Sequence, residues 1–409
     1  MKMKHGLPYG DGEIEVELPD DRLDWIVAER VPERDELPIV LAAIDGAEPG
    51  LLEFLGRSAS VAVVVSDHTR NTGSRTYMPI LLDRIRMPGR RITVVVALGL
   101  HRPSTDSEIA TILGCIPDKD VDIINHDPDG NLEACGQGTF CKAVVEADKV
   151  ILTGSVSFHP MAGYSGGWKS LLPGIASRAC VLDNHRLFFS GDKRHPGVGP
   201  ARVELNPVSM DIRSRTRGFA GKTWCLNVVQ SESKAIVFAT AGGVDDAWTA
   251  CCGYLERMNS PSIRRLYPVV VASSGGYPSD FSFYQSMKTL TNASRACVKG
   301  GSIYLAMECR NGWELDESVL SWSRDSLDTI ATRLRKEFSM SGLAMHMALS
   351  VIRDHSIACL SSLPEQEVCG MGMRYLASAA DLGKAVAAED ADRIAVIPAA
   401  AATLPALRR

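Results

Sequence analysis

Short runs of β-branched residues recur along the chain, each broken by a polar or glycine-rich stretch and alternating with segments of helical periodicity. Val61 to Val65, Ile92 to Leu98 and Lys149 to Thr153 predict buried strands, with polar residues directly after each. Thr105 and Glu108 have capping-box spacing, Ile109 to Leu113 is apolar, and Gly114 stands where a helix should stop, so His101 falls in a strand-to-helix loop. The pattern restarts near residue 262. Strands are expected over Tyr267 to Ala272, Ser302 to Met307 and Ile394 to Pro398, with helices over Ser326 to Phe338 and Ala344 to Arg353. This rhythm predicts an α/β fold with two domains, 1–262 and 263–409, each a mostly parallel sheet flanked by helices. Open sheets of this kind take ligands beyond the carboxyl ends of their strands. The polar loops are therefore expected to converge on one crevice, placed between the domains.

Composition narrows the partners. The 409 residues are 45% apolar and 23% charged, with a mean hydropathy near zero, the balance of a globular chain. Lys+Arg 44 against Asp+Glu 49 gives a net charge of -5. No basic field exists to hold nucleic acid or anionic lipid, so a small-molecule partner is expected. Eleven cysteines, an odd number without Cys-x-x-Cys spacing, argue for reduced thiols in a cytoplasmic protein. No signal-peptide core and no run of ~18 apolar residues suggests export or a membrane span.

Several loops carry candidate chemistry. Gly163 to Ser170 approaches a Walker A loop but has Trp168 where that motif needs glycine before the lysine. What remains is a set of small residues, backbone amides and Lys169, which suit a phosphate; a plain glycine-rich turn with a solvated lysine is the competing reading. His101, His159 and His185 fall in or near these loops, as zinc ligands drawn from distant loops or as acid–base groups. Asp67 could orient Arg70 as a carboxylate clamp, or the two could form a surface ion pair. Tyr284 and Lys288, with Gln285 in the same turn, are spaced to share one helix face.

In order along the chain, the carriers of a family resemblance are Asp67-His68-Thr69-Arg70, Gly99-Leu100-His101-Arg102-Pro103, Gly154 through His159, Gly163-Tyr164-Ser165-Gly166-Gly167-Trp168-Lys169, Asn184-His185, Asn206-Pro207, Gly276-Tyr277-Pro278-x-Asp280 and Tyr284-Gln285-x-x-Lys288. With this set the sequence resembles the nickel-dependent lactate racemase family, which racemises or epimerises 2-hydroxy acids by hydride transfer through a nickel-pincer nucleotide. The cofactor implied is pyridinium-3-thioamide-5-thiocarboxylic acid mononucleotide with nickel. The resemblance makes Lys169 its covalent attachment site and His185 the protein ligand of nickel, the remaining ligands being two sulfurs and a ring carbon of the cofactor. It makes His101 and His159 the catalytic acid–base pair, one base per enantiomer, and Arg70 the carboxylate-binding group. Asp67, Ser165, Gly166 and Gly167 would contact the cofactor; Tyr284, Gln285 and Lys288 would contact substrate. Cofactor-biosynthesis proteins are the implied maturation partners.

One departure bears on substrate. After Arg70 the chain reads Asn71-Thr72-Gly73-Ser74-Arg75-Thr76 in place of the family's proline-rich residues, which leaves lactate, malate, aromatic and sugar acids all open. Two further readings stand beside the racemase: a zinc hydrolase built from the loop histidines, and a non-catalytic cofactor-binding homologue.

Overall fold

The computed structural model describes residues 2–29, 31–115, 120–191 and 193–408. They divide into two compact units, one comprising Val31–Ser190 and Arg194–Glu256, the other Met1–Arg30, Gly191–Lys193 and Arg257–Arg409.

The first unit is built on six strands: β1 (Ser60–Ser66), β2 (Arg91–Ala97), β3 (Val121–Asn125), β4 (Lys149–Ser155), β5 (Thr223–Gln230) and β6 (Ile236–Gly242). Their spatial order is β6-β5-β4-β1-β2-β3. Strands β1 to β5 are parallel, and β6 returns antiparallel to β5 at the edge after a short connection. β1, β2 and β4 read as near-continuous valine, isoleucine and leucine because helices or loops cover both faces, the signature of a parallel sheet. Val63, Val94, Ile151 and Leu226 pack there against Tyr77, Leu81 and Ile85 of the helix Ser74–Ile85. The helix expected after His101 spans Asp106–Leu113. The Thr105 hydroxyl accepts from the Glu108 amide at 3.3 Å and the Glu108 carboxylate from the Thr105 amide at 2.8 Å. Gly114 ends it at φ 66°, and a Cβ there would stand 2.2 Å from the Arg75 carbonyl oxygen, so no other residue fits.

The second unit has strands β7 (Tyr267–Ser273), β8 (Cys297–Ala306), β9 (Ser356–Leu360), β10 (Arg374–Leu376) and β11 (Ile394–Ile397). They lie in the order β10-β9-β8-β7-β11, extended past β11 by the short strand Leu23–Trp25, and every pair is parallel. The continuous division expected at 262/263 therefore differs from the observed one. The first thirty residues join the C-terminal unit because Leu23–Trp25 completes its sheet, and because the hairpin Lys2–Tyr9/Gly12–Pro19 contributes Leu7, Val16 and Leu18 to its core. That hairpin, made mostly of alternating polar residues, escaped the search for apolar runs. Asp280 anchors it: the buried carboxylate accepts the Gly10 amide at 2.7 Å and the Glu308 amide at 3.3 Å.

Candidate active site

Strand order locates the crevice. From β1 the chain proceeds to β2 and β3 on one side, and from β4 to β5 on the other, so β1 and β4 flank the point where the winding reverses. The space beyond their carboxyl ends is where a doubly wound sheet accepts a ligand.

Asp67 follows β1 directly and is 1% exposed. One carboxylate oxygen accepts the Thr69 amide at 3.1 Å and the Thr69 hydroxyl at 2.7 Å; the other lies 2.5 Å from Nδ1 of His101, in the loop after β2. Burial by itself would raise the Asp67 carboxyl, but the hydrogen bonds from His101 and Thr69, with the nearby His101 and Arg70 charges, outweigh it and hold the group below the usual carboxylate range. The His101 side chain is 47% exposed, leaving its far edge open. Arg70 is exposed, and among the described residues its guanidinium makes no hydrogen bond or ion pair. Asp67 thus pairs with His101, and the expected clamp or ion pair with Arg70 reduces to a longer-range attraction.

After β4 the chain makes the small hairpin Phe158–His159/Gly163–Tyr164 and then the single turn Gly167–Ser170. That turn sits over the strand ends: the Ser170 hydroxyl donates to the Thr153 carbonyl at 3.2 Å and the Ser165 hydroxyl to the Ser155 carbonyl at 2.8 Å. A Cβ on Gly167 (φ 54°) would come within 2.7 Å of the Trp248 ring, and one on Gly166 (φ 76°) within 2.9 Å of the Asn227 side-chain oxygen. Both glycines are therefore demanded by packing. One expectation is corrected: the Gly167 amide, read as available to a phosphate, donates to the Asn227 side chain at 2.9 Å, and the turn is a four-residue 3-10 segment without a long helix behind it. Asn227 itself was missed; its only signal is a lone amide inside the apolar run of β5.

Lys169 is partly accessible as a residue, yet crowding around its ammonium, together with the Arg70 charge, pulls it down to about 7. His185, on the helix Arg178–Arg186, is 7% exposed. Burial and then the Lys169 charge pull it down to about 4, against a weaker opposing hydrogen bond to the Val181 backbone. Arg70, Lys169 and His185 are thus electrostatically coupled in sequence; His185 is neutral at neutral pH, and a substantial share of Lys169 is unprotonated there. A cavity of ≈ 270 Å³, open to solvent, lies against Lys169 and is lined by Tyr164, Trp168, Ser209, Arg213 and Trp248 among others. His159, partly buried, accepts the Met161 and Ala162 amides at its Nδ1, at 3.2 and 3.1 Å.

Among the described residues no three His, Cys, Asp or Glu side chains stand together in a group able to hold a metal ion, so His101, His159 and His185 do not assemble a protein-only zinc site. No helix among them is long and apolar enough to cross a membrane. Tyr284, Gln285 and Lys288 lie on the helix Phe283–Ser294 of the other unit, capped by Ser282, with Gln285 and Lys288 exposed and Tyr284 partly buried.

A doubly wound α/β protein with an aspartate–histidine pair and an uncommitted guanidinium at the switch point, and a lysine of lowered pKa coupled electrostatically to a buried histidine, belongs among small-molecule enzymes. Residues 9–197 match the lactate racemase N-terminal domain and residues 265–404 the lactate racemase C-terminal domain. The chain belongs to the lactate racemase family. A lactate racemase from Thermoanaerobacterium thermosaccharolyticum is 29% identical over 402 residues, covering 93% of this chain and 92% of that protein. One from Lactiplantibacillus plantarum is 34% identical over 273 residues, covering 64% and 63% respectively. The structure of the lactate racemase apoprotein from Thermoanaerobacterium thermosaccharolyticum superimposes with a TM-score of 0.88 at 27% identity over the whole of both chains. A Thermotoga maritima protein, at 18% identity and a TM-score of 0.63, shares the fold.

Proposed function

We propose that this protein is a racemase or epimerase of small 2-hydroxy acids, lactate first among them, working through a nickel-pincer nucleotide carried on Lys169. The observation that carries the reading is the electrostatic coupling of Lys169 to His185: an amine brought to about 7, and an imidazole that burial and the Lys169 charge bring to about 4, both in the first unit. The donor set fits the group. An uncharged lysine amine is what a thioamide linkage to a thiocarboxylate requires, and an unprotonated buried imidazole can donate its lone pair to nickel. The absence of a three-ligand protein cluster among the described residues suits a metal whose other ligands the cofactor brings.

When bound, the nucleotide would supply the acceptor and donor for the C2 hydride. The chain's residues do the rest. The exposed Arg70 guanidinium would take the substrate carboxylate with two parallel hydrogen bonds. Asp67 holds the Nδ1 proton of His101, leaving Nε2 of that ring with a lone pair for the hydroxyl proton as the alcohol becomes a 2-keto acid. His159 stands as the second histidine of the site, and Tyr284, Gln285 and Lys288 are the further substrate contacts we propose. Maturation would fall to cofactor-biosynthesis proteins in the cytoplasm, in keeping with eleven free cysteines. The test is chiral chromatography of single enantiomers of lactate, malate, an aryl lactate and an aldonate after incubation with protein co-expressed with the cofactor-making enzymes, alongside intact-mass analysis. Racemisation of at least one acid, with an adduct on Lys169, is expected; conversion of none by adduct-bearing protein would favour a non-catalytic homologue.

A further inference from the structure

The helix Phe283–Ser294 carries Gln285 in its first turn, and that turn is tied down from outside the helix. The first amides of a helix have no partner within it. Here Phe283 donates to the Gly312 carbonyl at 3.0 Å, Tyr284 to the Trp313 carbonyl at 3.2 Å and Gln285 to the Ser282 hydroxyl at 3.2 Å. Asn311 donates back to the Phe281 carbonyl at 2.9 Å. The turn is therefore stitched to the loop after β8, and its position follows that loop.

The loop is fixed in its turn by Asp280, which is buried. The Asp280 carbonyl accepts the Cys309 amide at 2.7 Å, and one carboxylate oxygen accepts both the Glu308 amide at 3.3 Å and the Gly10 amide at 2.7 Å. Gly10 is the tip of the N-terminal hairpin, 270 positions away in the chain. Its carbonyl takes the Tyr277 amide at 2.8 Å, and a Cβ on Gly276 (φ 74°) would stand 2.9 Å from that same oxygen. Next to the tip, Asp11 pairs with Arg310 at 2.7 Å, and Arg310 with Glu308 at 2.6 Å. A buried carboxylate is costly unless it is hydrogen-bonded. The bonds that hold this one come from the hairpin tip and from the loop beside the helix.

We propose that the tip of the N-terminal hairpin is a positioning element of the substrate site: bound by Asp280, it fixes the first turn of the helix Phe283–Ser294 and with it the place of Gln285. The inference rests on the racemase reading for the role of Gln285 as a substrate contact, and deepens it by making Asp280 and the tip responsible for how tightly the acid is held. Arg70, His101 and Lys169 belong to the other unit. Loosening this turn should therefore weaken substrate binding while leaving the chemistry of the bound acid nearly as it was, an effect that shows in KM rather than in kcat.

Three variants of the full-length protein separate the outcomes. Asp280→Ala releases both amides, whereas Asp280→Asn keeps an oxygen to accept them. Gly10→Ala puts a Cβ on a residue at φ 55°, within 2.6 Å of the Glu308 carboxylate, and so disturbs the tip without altering the helix sequence. Hydrogen exchange read by mass spectrometry on the unloaded protein should show residues 281–288 exchanging ~10-fold faster or more in Asp280→Ala and in Gly10→Ala, with β9 unchanged and Asp280→Asn close to wild type. Faster exchange confined to the hairpin, or spread equally over β9, overturns the proposal. In cofactor-loaded enzyme Asp280→Ala and Gly10→Ala should raise KM ~10-fold with kcat within ~3-fold, and Asp280→Asn should restore KM. A fall in kcat at unchanged KM is what a mere loss of folded protein produces, and it also overturns the proposal. The exchange arm needs neither substrate nor cofactor, so its failure is distinct from a failure of the loaded wild-type enzyme to racemise any acid.

Discussion

The carboxylate of Asp67 and Nδ1 of His101, residues 34 positions apart in the chain, lie 2.5 Å apart, joined across the carboxyl ends of two adjacent parallel strands. The carboxylate is oriented from behind by two bonds from Thr69 and closed to solvent, whereas the imidazole remains open on its outer side. Asp67 is thus a positioning residue for a proton acceptor. Replacing it with asparagine keeps the shape and allows the amide to donate, which favours the wrong tautomer of His101. Asp67→Asn should lower kcat by about 10²–10⁴-fold with a modest change in KM, measured by steady-state racemisation of cofactor-loaded protein whose native fold is confirmed by circular dichroism.

Stability should carry the same signature. The folded-state pKa of Asp67 is depressed. Its carboxylate therefore contributes stability that is fully present above the unfolded value near ~3.9 and is lost as pH falls through the lower folded value. Thermal unfolding from neutral pH down to about pH 3 should show Tm of the wild type falling toward that of Asp67→Asn at the acid end. A constant gap between the two proteins would mean that the group does not titrate as the structure requires.

Lys169 should be the most acylable amine on the unmodified protein at neutral pH. An ordinary lysine is almost wholly protonated there, whereas Lys169 titrates at about 7. Brief treatment with a small acylating reagent, followed by peptide mass spectrometry, should label Lys169 ahead of exposed Lys4, with its rate half-maximal near pH 7. Removing the neighbouring cation in Arg70→Gln should raise the Lys169 pKa and move that midpoint to higher pH, because one of the two causes of the depression is gone.

The turn bearing Lys169 depends on Asn227. Its side-chain oxygen accepts the Gly167 amide while its amide donates to the Gly154 carbonyl at 3.2 Å, all out of contact with water. Asn227→Leu leaves the buried Gly167 amide without its partner and removes a bond to the Gly154 carbonyl, and should cost about 1–3 kcal/mol in urea unfolding, the range for one unsatisfied buried group. Gly167→Ala should also destabilise, through its positive φ and the approach of Trp248. A neutral outcome for both would show that the turn is not held as described.

The β-branched runs, the Thr105–Glu108 cap and the stop at Gly114 were legible in the sequence because each is a local device whose partners lie within a few residues. The motif-bearing loops were legible as loops, and so was the helical turn shared by Tyr284 and Lys288. Other features depend on partners that only the folded chain brings close. The alternating, half-polar hairpin at the N-terminus and the three-residue strand Leu23–Trp25 carry no strong local signal; the hairpin is anchored by Asp280, 270 positions on from Gly10, and Leu23–Trp25 pairs with β11 more than 300 positions away. Asp67 could be matched to Arg70 in sequence, but strand order decides that it meets His101. The lysine in the glycine-rich turn was evident, whereas its lowered pKa was not, since desolvation is a property of surroundings and the Arg70 charge reaches it from another segment. Spacing along the chain can specify which residue types are offered at the ends of the strands. Which nitrogen holds a proton, and which amide is already taken, follows from distances of a few ångströms that exist only once the sheet has assembled.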